Sequence, residues 1–188
     1  MRAMLEYAHE RLVRGSVLAA ALLVTAGAQV GRGSTSAATA LADVVLSFCF
    51  VISFRIWDDV MDRERDRVRH PERVVVRTRS IGSLSLAASC IALAGAGALM
   101  RLHGAASVLL LIALSGVLAT WYALRGVRSA AGDRLLLFKY PVFTLALIVP
   151  ASLTPRAATS ALGVYLAACA YEWRHDRESP VFSIGGSR

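Results

Sequence analysis

Asp58, Asp59, Asp62 and Asp66 fall within nine positions of a chain that carries only 13 acidic residues in 188. On a continuing helix Asp58, Asp62 and Asp66 stand at i, i+4 and i+8, which stacks them on one face about one turn apart. Asp59 lies beside them, roughly 100° around the axis. Stacked like charges destabilise a bare helix, so something must offset them: the interleaved arginines, or bound cations. Clustered carboxylates with open space in front of them suit Mg²⁺, a hard ion that keeps waters and shares substrate phosphates. The expectation is a Mg²⁺–diphosphate site with Asp58, Asp59, Asp62 and Asp66 as metal ligands. The plain alternative is a solvated helix end in which arginine and aspartate neutralise one another.

The segments that must position this cluster are strongly apolar. The chain is 56% hydrophobic and 18% charged, with a mean hydropathy of +0.54, and its charges are clumped. Charge-free runs of spanning length alternate with short basic clusters, the pattern of a multi-spanning membrane protein. The net charge of +8 therefore reflects loops between spans, and a nucleic-acid partner is excluded because no basic soluble face exists to carry one. Cys49, Cys90 and Cys169 each lie within an apolar run without a CxxC pair, which argues against a disulfide framework or a zinc site.

In chain order, residues 1–14 form an amphipathic lead-in, with Leu5, Ala8, Leu12 and Val13 toward lipid and Glu6, His9, Glu10 and Arg11 toward water. Residues 15–30 are the first apolar run, and Ala26-Gly27-Ala28 within it resembles a signal-peptidase site. The second span, 37–56, runs straight into the aspartates, and His70-Pro71 ends that helix because a residue before proline is pushed out of the α region. A basic connector covers 72–80. Spans follow at 81–99, with Gly95 and Gly97 allowing close helix contact, and at 105–124, ending in Trp121-Tyr122 as an interfacial belt. A second basic loop covers 125–134. The fifth span is 135–153, carrying Lys139, and the sixth is 157–173, followed by a polar tail. Asp43 is the only acid well inside an apolar run, near the outer end. With the N-terminus cytoplasmic, 18 Lys and Arg fall on inside segments and 3 on outside turns. That split predicts one all-α bundle of about six transmembrane helices, residues 1–188, with both termini and the aspartates cytoplasmic. A bacterial plasma membrane is the expected location.

Asp58-Asp59-x-x-Asp62-x-x-x-Asp66 resembles the first aspartate-rich motif of the UbiA-type intramembrane prenyltransferases, Asn/Asp-Asp-x-x-Asp-x-x-x-Asp. In that family the motif follows the second transmembrane helix on the cytoplasmic side. Arg55 before it, Pro71-Glu72-Arg73 after it, and the region from Tyr122 to Lys139-Tyr140-Pro141 are also similar to the family pattern. The resemblance implies transfer of a polyprenyl group from a polyprenyl diphosphate to a lipophilic acceptor. The aspartates would hold Mg²⁺ on the diphosphate, with Asp59, Asp62 and Lys139 carrying the catalytic role. Arg55, Arg63, Arg125, Arg128 and Asp176 would bind substrate, and basic side chains would stabilise the leaving diphosphate. Tyr122 and Tyr140, with Phe54, Trp57 and Trp121, would line a greasy cavity that excludes water. Taken singly, each of these aromatics also fits an interfacial belt.

Three departures from the family stand out. Its members have about nine helices against six here, and Val74 stands where proline often follows the arginine. The second aspartate-rich motif falls at Tyr171 to Pro180, where Glu172, Asp176 and Glu178 lack the repeated aspartate spacing. A non-catalytic relative that retains a lipid-diphosphate site, a small helical transport bundle, and a homo-oligomer that completes the helix set are the other readings. The CDP-alcohol phosphotransferase motif needs Asp-Gly and Ala-Arg ahead of its later aspartates, and Arg55 to Asp66 has neither.

Overall fold

The computed structural model describes residues 2–12, 16–33, 36–78, 81–124, 129–148 and 154–175. Among them the chain is helical, without strands. The helices are α1 (Arg2–Tyr7, continued by a π turn at Ala8–Leu12), α2 (Ser16–Arg32), α3 (Ala37–Met61), α4 (Arg63–Arg69) and α5 (Val74–Arg77). They continue with α6 (Gly82–His103), α7 (Ala105–Leu124), α8 (Ala130–Leu137), α9 (Lys139–Ile148) and α10 (Pro155–His175). Helices α3, α6 and α7 are long and apolar enough to cross a membrane, with mean hydropathies of 2.1, 1.8 and 2.0. Met4–Leu12 and Ser16–Arg32 taken together would make a fourth. Large apolar side chains such as Leu93 on α6, Leu109 and Ile112 on α7, and Leu162 and Leu166 on α10 point outward, as expected of helices whose surroundings are not water.

Local chemistry sets most of the boundaries. Ser36 caps α3, its Oγ accepting from the Thr39 amide at 3.1 Å, and Ser129 caps α8 in the same way through Gly132 N at 3.1 Å. Helix α4 stops at Arg69, and His70 before Pro71 adopts φ −141°, ψ 60°, the proline effect anticipated above. Between α6 and α7 the joint is Gly104 alone, at φ 86°. A residue with a Cβ resists that backbone, so glycine makes this reversal without strain.

Helix α9 is the centre of the bundle. Eight of its ten residues are buried, and it packs against α2, α7 and α10. Phe143 fills the middle: its ring centroid lies 5.6 Å from Phe50 and 5.1 Å from Phe54. A second apolar cluster joins Tyr7 of α1 to Ile56, Val74, Val75 and Leu84. Of the two glycines expected at close helix contacts, Gly95 meets Phe50 and Cys49 of α3, whereas Gly97 faces open space.

Several expectations change here. The first apolar helix extends through Arg32 rather than ending at Val30. The basic loop expected over 125–134 becomes helical from Ala130, because Ser129 supplies a cap. The expected fifth span is interrupted at Phe138, whose amide bonds to Arg134 O and Leu135 O. The lead-in sorts its polar residues only in part: Glu6 and His9 are exposed, but Glu10 caps the Val74 amide at 3.0 Å and Arg11 turns inward to Asp59, beside the buried Tyr7.

Candidate functional site

The four aspartates lie on one nearly continuous helical path. The i→i+4 bonds Asp62 N→Asp58 O (2.9 Å), Asp66 N→Asp62 O (2.9 Å) and His70 N→Asp66 O (2.7 Å) carry the helix across the break at Asp62. Side chains one turn apart therefore face the same way, but each meets different partners. Asp58 receives the Lys139 ammonium and the Tyr122 hydroxyl at 2.6 Å. Asp59 is buried and holds Arg11 through both carboxylate oxygens, Nη2 to Oδ1 at 2.6 Å and Nε to Oδ2 at 3.0 Å. It also accepts from Tyr7 Oη at 2.8 Å, and Arg55 Nε stands 3.6 Å away. Asp66 is buried against Arg73 Nη1 at 2.5 Å. Asp62 has a looser ion pair, with Arg65 Nη1 at 3.9 Å.

All four aspartates line one charged pocket of about 270 Å³, together with Arg11, Arg55, Arg65, Arg69, Arg73 and Lys139. Trp121 forms part of its wall, and its ring packs so closely on Gly132 that no Cβ fits there. A second, mostly apolar cavity of about 210 Å³ lies between α2, α3, α9 and α10. Leu23, Val51, Phe54 and Phe143 line it. Arg55, Leu137, Lys139, Tyr140 and Glu172 line both spaces, so charged pocket and apolar cavity share a wall.

The structure thus brings Arg55, Asp58, Asp59, Asp62, Asp66, Tyr122, Lys139 and Tyr140 to one pocket. It does not bring Arg63 there. The Arg63 guanidinium turns back to the connector, donating to Val75 O at 3.0 Å and Thr78 O at 2.6 Å. Arg125, Arg128, Asp176 and Glu178 lie outside the described residues. Glu172, of the expected second acidic segment, faces both the pocket and the cavity. Phe54, Trp57 and Tyr122 form a ring ladder, with centroids 5.3 Å and 5.7 Å apart. For Tyr122, burial and its bond to Asp58 replace the interfacial-belt reading. Tyr7, Arg11 and the pairing of Arg73 with Asp66 were not anticipated. Arg73 carried a signal, seven residues after Asp66 across a proline turn; Tyr7 and Arg11 carried none, being about fifty residues from their partner.

The pairing bears on the expected Mg²⁺. Asp58, Asp59 and Asp66 each already hold a protein cation, and among the described residues no three of His, Cys, Asp and Glu gather as metal ligands. As paired, these carboxylates do not form a ready cage for a divalent ion.

A second polar cluster lies at the far end of α3. Asp43 is fully buried and accepts from Gln29 Nε2 at 2.8 Å, Arg32 Nη1 at 2.9 Å and His103 Nε2 at 3.0 Å. Arg32 also donates to Leu147 O, so the cluster ties α2, α3, α6 and α9 together. Compared with known proteins, the chain matches no family, no curated sequence and no solved structure.

Proposed function

We propose that this chain is an intramembrane transferase of the UbiA type, which moves a polyprenyl group from a polyprenyl diphosphate to a lipophilic acceptor. The observation that carries the reading is the shared wall: a charged pocket and an apolar cavity meeting at Arg55, Lys139 and Tyr140 match an amphiphile with an anionic head and a hydrocarbon tail. In this reading the diphosphate occupies the pocket and the first isoprene units occupy the cavity. The bond between the allylic carbon and the diphosphate oxygen breaks, and its electron pair leaves with the diphosphate. Arg55 and Lys139 stabilise that charge where it develops. An ammonium has three donors, of which Asp58 takes one. The aromatic and aliphatic cavity wall keeps water from the cationic carbon, and the acceptor supplies the new bond and releases a proton. Mg²⁺ belongs to the proposal as the partner of the diphosphate, since this ion is commonly held by one or two carboxylates plus substrate phosphates. The proposal also includes six crossings, with α1–α2, α8–α9 and α10 joining α3, α6 and α7. Both termini lie in the cytoplasm of a bacterium, on the strength of the 18-to-3 distribution of Lys and Arg.

A second reading, a binding protein without turnover, is favoured by the aspartates being neutralised by protein cations. One experiment separates the two. Membranes containing the wild type or Lys139→Met receive a mixed set of polyprenyl diphosphates, with and without Mg²⁺, and diphosphate release and donor binding are measured. Release in the wild type, reduced at least about 100-fold in the variant, supports transfer; removing one electrostatic stabiliser of a leaving group has effects of this order. Binding without release supports the second reading. A folded protein that does neither refutes both.

A further inference from the structure

We infer that Tyr7 and Arg11 are positioning residues of the charged pocket: they hold the Asp59 carboxylate, and so leave the Arg55 guanidinium facing the pocket to bind an anionic head group. The inference rests on the diphosphate reading of that pocket.

Arg55 and Asp59 stand at i, i+4 on α3, the spacing at which an oppositely charged pair closes on a helix surface. Here the pair is a loose one, Nε to Oδ2 at 3.6 Å, beyond hydrogen-bond reach. Both carboxylate oxygens are already engaged, by the two-pronged contact of Arg11 and by the Tyr7 hydroxyl. Planar guanidinium–carboxylate forks are among the stronger and more directional contacts a side chain makes. Asp59 is therefore drawn toward the N-terminal segment, away from Arg55. The side chain of Asp59 is 6% exposed, that of Arg55 41%, and Arg55 lies on the wall common to the pocket and the apolar cavity. Two guanidinium groups share one carboxylate, so this trio carries one net positive charge at the mouth of the site. Without Arg11, Asp59 is expected to rotate onto Arg55 and cancel it.

The N-terminal segment does not depend on Arg11 for its docking. Tyr7 is buried among Ile56, Val74 and Val75, and Glu10 accepts from the Val74 amide. In Arg11→Gln, Asp59 keeps Tyr7 and gains Arg55, so the substitution leaves no buried orphan charge.

The test is inorganic pyrophosphate binding to the purified full chain in detergent micelles, by calorimetry at fixed ionic strength. Arg11→Gln is expected to weaken binding on the order of tenfold, one unit charge acting over several ångströms. Arg11→Gln with Asp59→Asn is expected to return to within about threefold of wild type, because the carboxylate that captures Arg55 is gone. In an Arg55→Gln background, where no Arg55 remains for Asp59 to capture, Arg11→Gln is expected to weaken binding clearly less than it does alone. Equal losses from Arg11→Gln in both backgrounds would mean that Arg11 meets the anion itself and would overturn the inference. So would an Arg11→Gln protein that binds as the wild type does. Tyr7→Phe, which keeps the ring in its apolar socket, is the variant to read if Arg11→Gln does not fold. It is expected to weaken binding roughly two- to threefold, the weight of one hydrogen bond, and unchanged binding there counts against the inference. Failure of the wild type to bind pyrophosphate would remove the diphosphate reading and this inference together; failure of the Arg11 effect alone leaves that reading intact.

Discussion

Replacing Asp43 with asparagine removes the charge around which four helices meet. The carboxylate accepts from Gln29, Arg32 and His103 at 2.8, 2.9 and 3.0 Å. Gln29 and Arg32 share Oδ2 and His103 takes Oδ1, so asparagine with its carbonyl oxygen at the Oδ2 place keeps two of those bonds and turns its amide toward His103. In soluble interiors, breaking a buried ion pair by removing one partner costs about 3–5 kcal/mol. Between membrane helices a polar contact averages roughly 0.6 kcal/mol and rarely exceeds about 1.7. One lost contact near the upper end, with the half-buried Arg32 left short of a counter-charge, comes to about 2–3 kcal/mol. At roughly 2–4 °C per kcal/mol for a chain of this size, the thermal midpoint falls by about 4–12 °C. The assay is the fraction of protein that stays monodisperse in mild detergent after heating through a temperature series. Adding Arg32→Gln to Asp43→Asn is expected to recover part of the loss, because the stranded guanidinium goes with it. A midpoint within about 1 °C of wild type for Asp43→Asn, or purely additive losses in the double variant, would refute the reasoning.

Other outcomes follow from the same contacts. Arg73→Gln takes the cation from buried Asp66 and is expected to destabilise by about 1–3 kcal/mol, read from the same heating series. A Cβ at Gly27 would overlap Val164 Cγ2 and press on Thr144 Cγ2 at 3.2 Å. Because valine is stiff at χ1, Gly27→Val is expected to cost about 1–3 kcal/mol. Gly97→Ala, on the open side of α6, should be neutral or stabilise by up to about 1 kcal/mol. Equal losses at the two glycines would contradict the packing of Gly27 of α2 against Val164 of α10.

How much could be read from the sequence differs sharply between elements. Helices α3, α6 and α7 were legible because uninterrupted apolar length is a local property. The end of α4 was legible because proline acts on the residue just before it. The break at Phe138 was not: an apolar run looks the same whether its hydrogen-bond ladder is continuous or shifts by one turn. At the site, the convergence of the aspartates followed from their spacing, whereas Lys139 was put near them only by the family resemblance. The aspartates' arginine partners did not follow from spacing, because a carboxylate's choice among several nearby arginines is made by tertiary packing. Arg63 is the clearest case. It lies beside Asp62 in sequence, yet it satisfies the carbonyls of Val75 and Thr78, while Arg11 crosses from another helix to take Asp59. The Asp43 cluster was half visible. The lone acid inside an apolar run stood out, but Arg32 and His103 fell between the expected spans, whereas both helices run on far enough to carry those side chains back inward.

The joint at Gly104 has a consequence for how such a chain is made and handled. Two spanning-length helices that meet through one residue form a helical hairpin with no loop between its arms. The same joint presents no slack for an enzyme that must draw several residues of backbone into its cleft, and proteolysis concentrates where slack exists. A tag or epitope placed at Gly104 would have to build its own loop first.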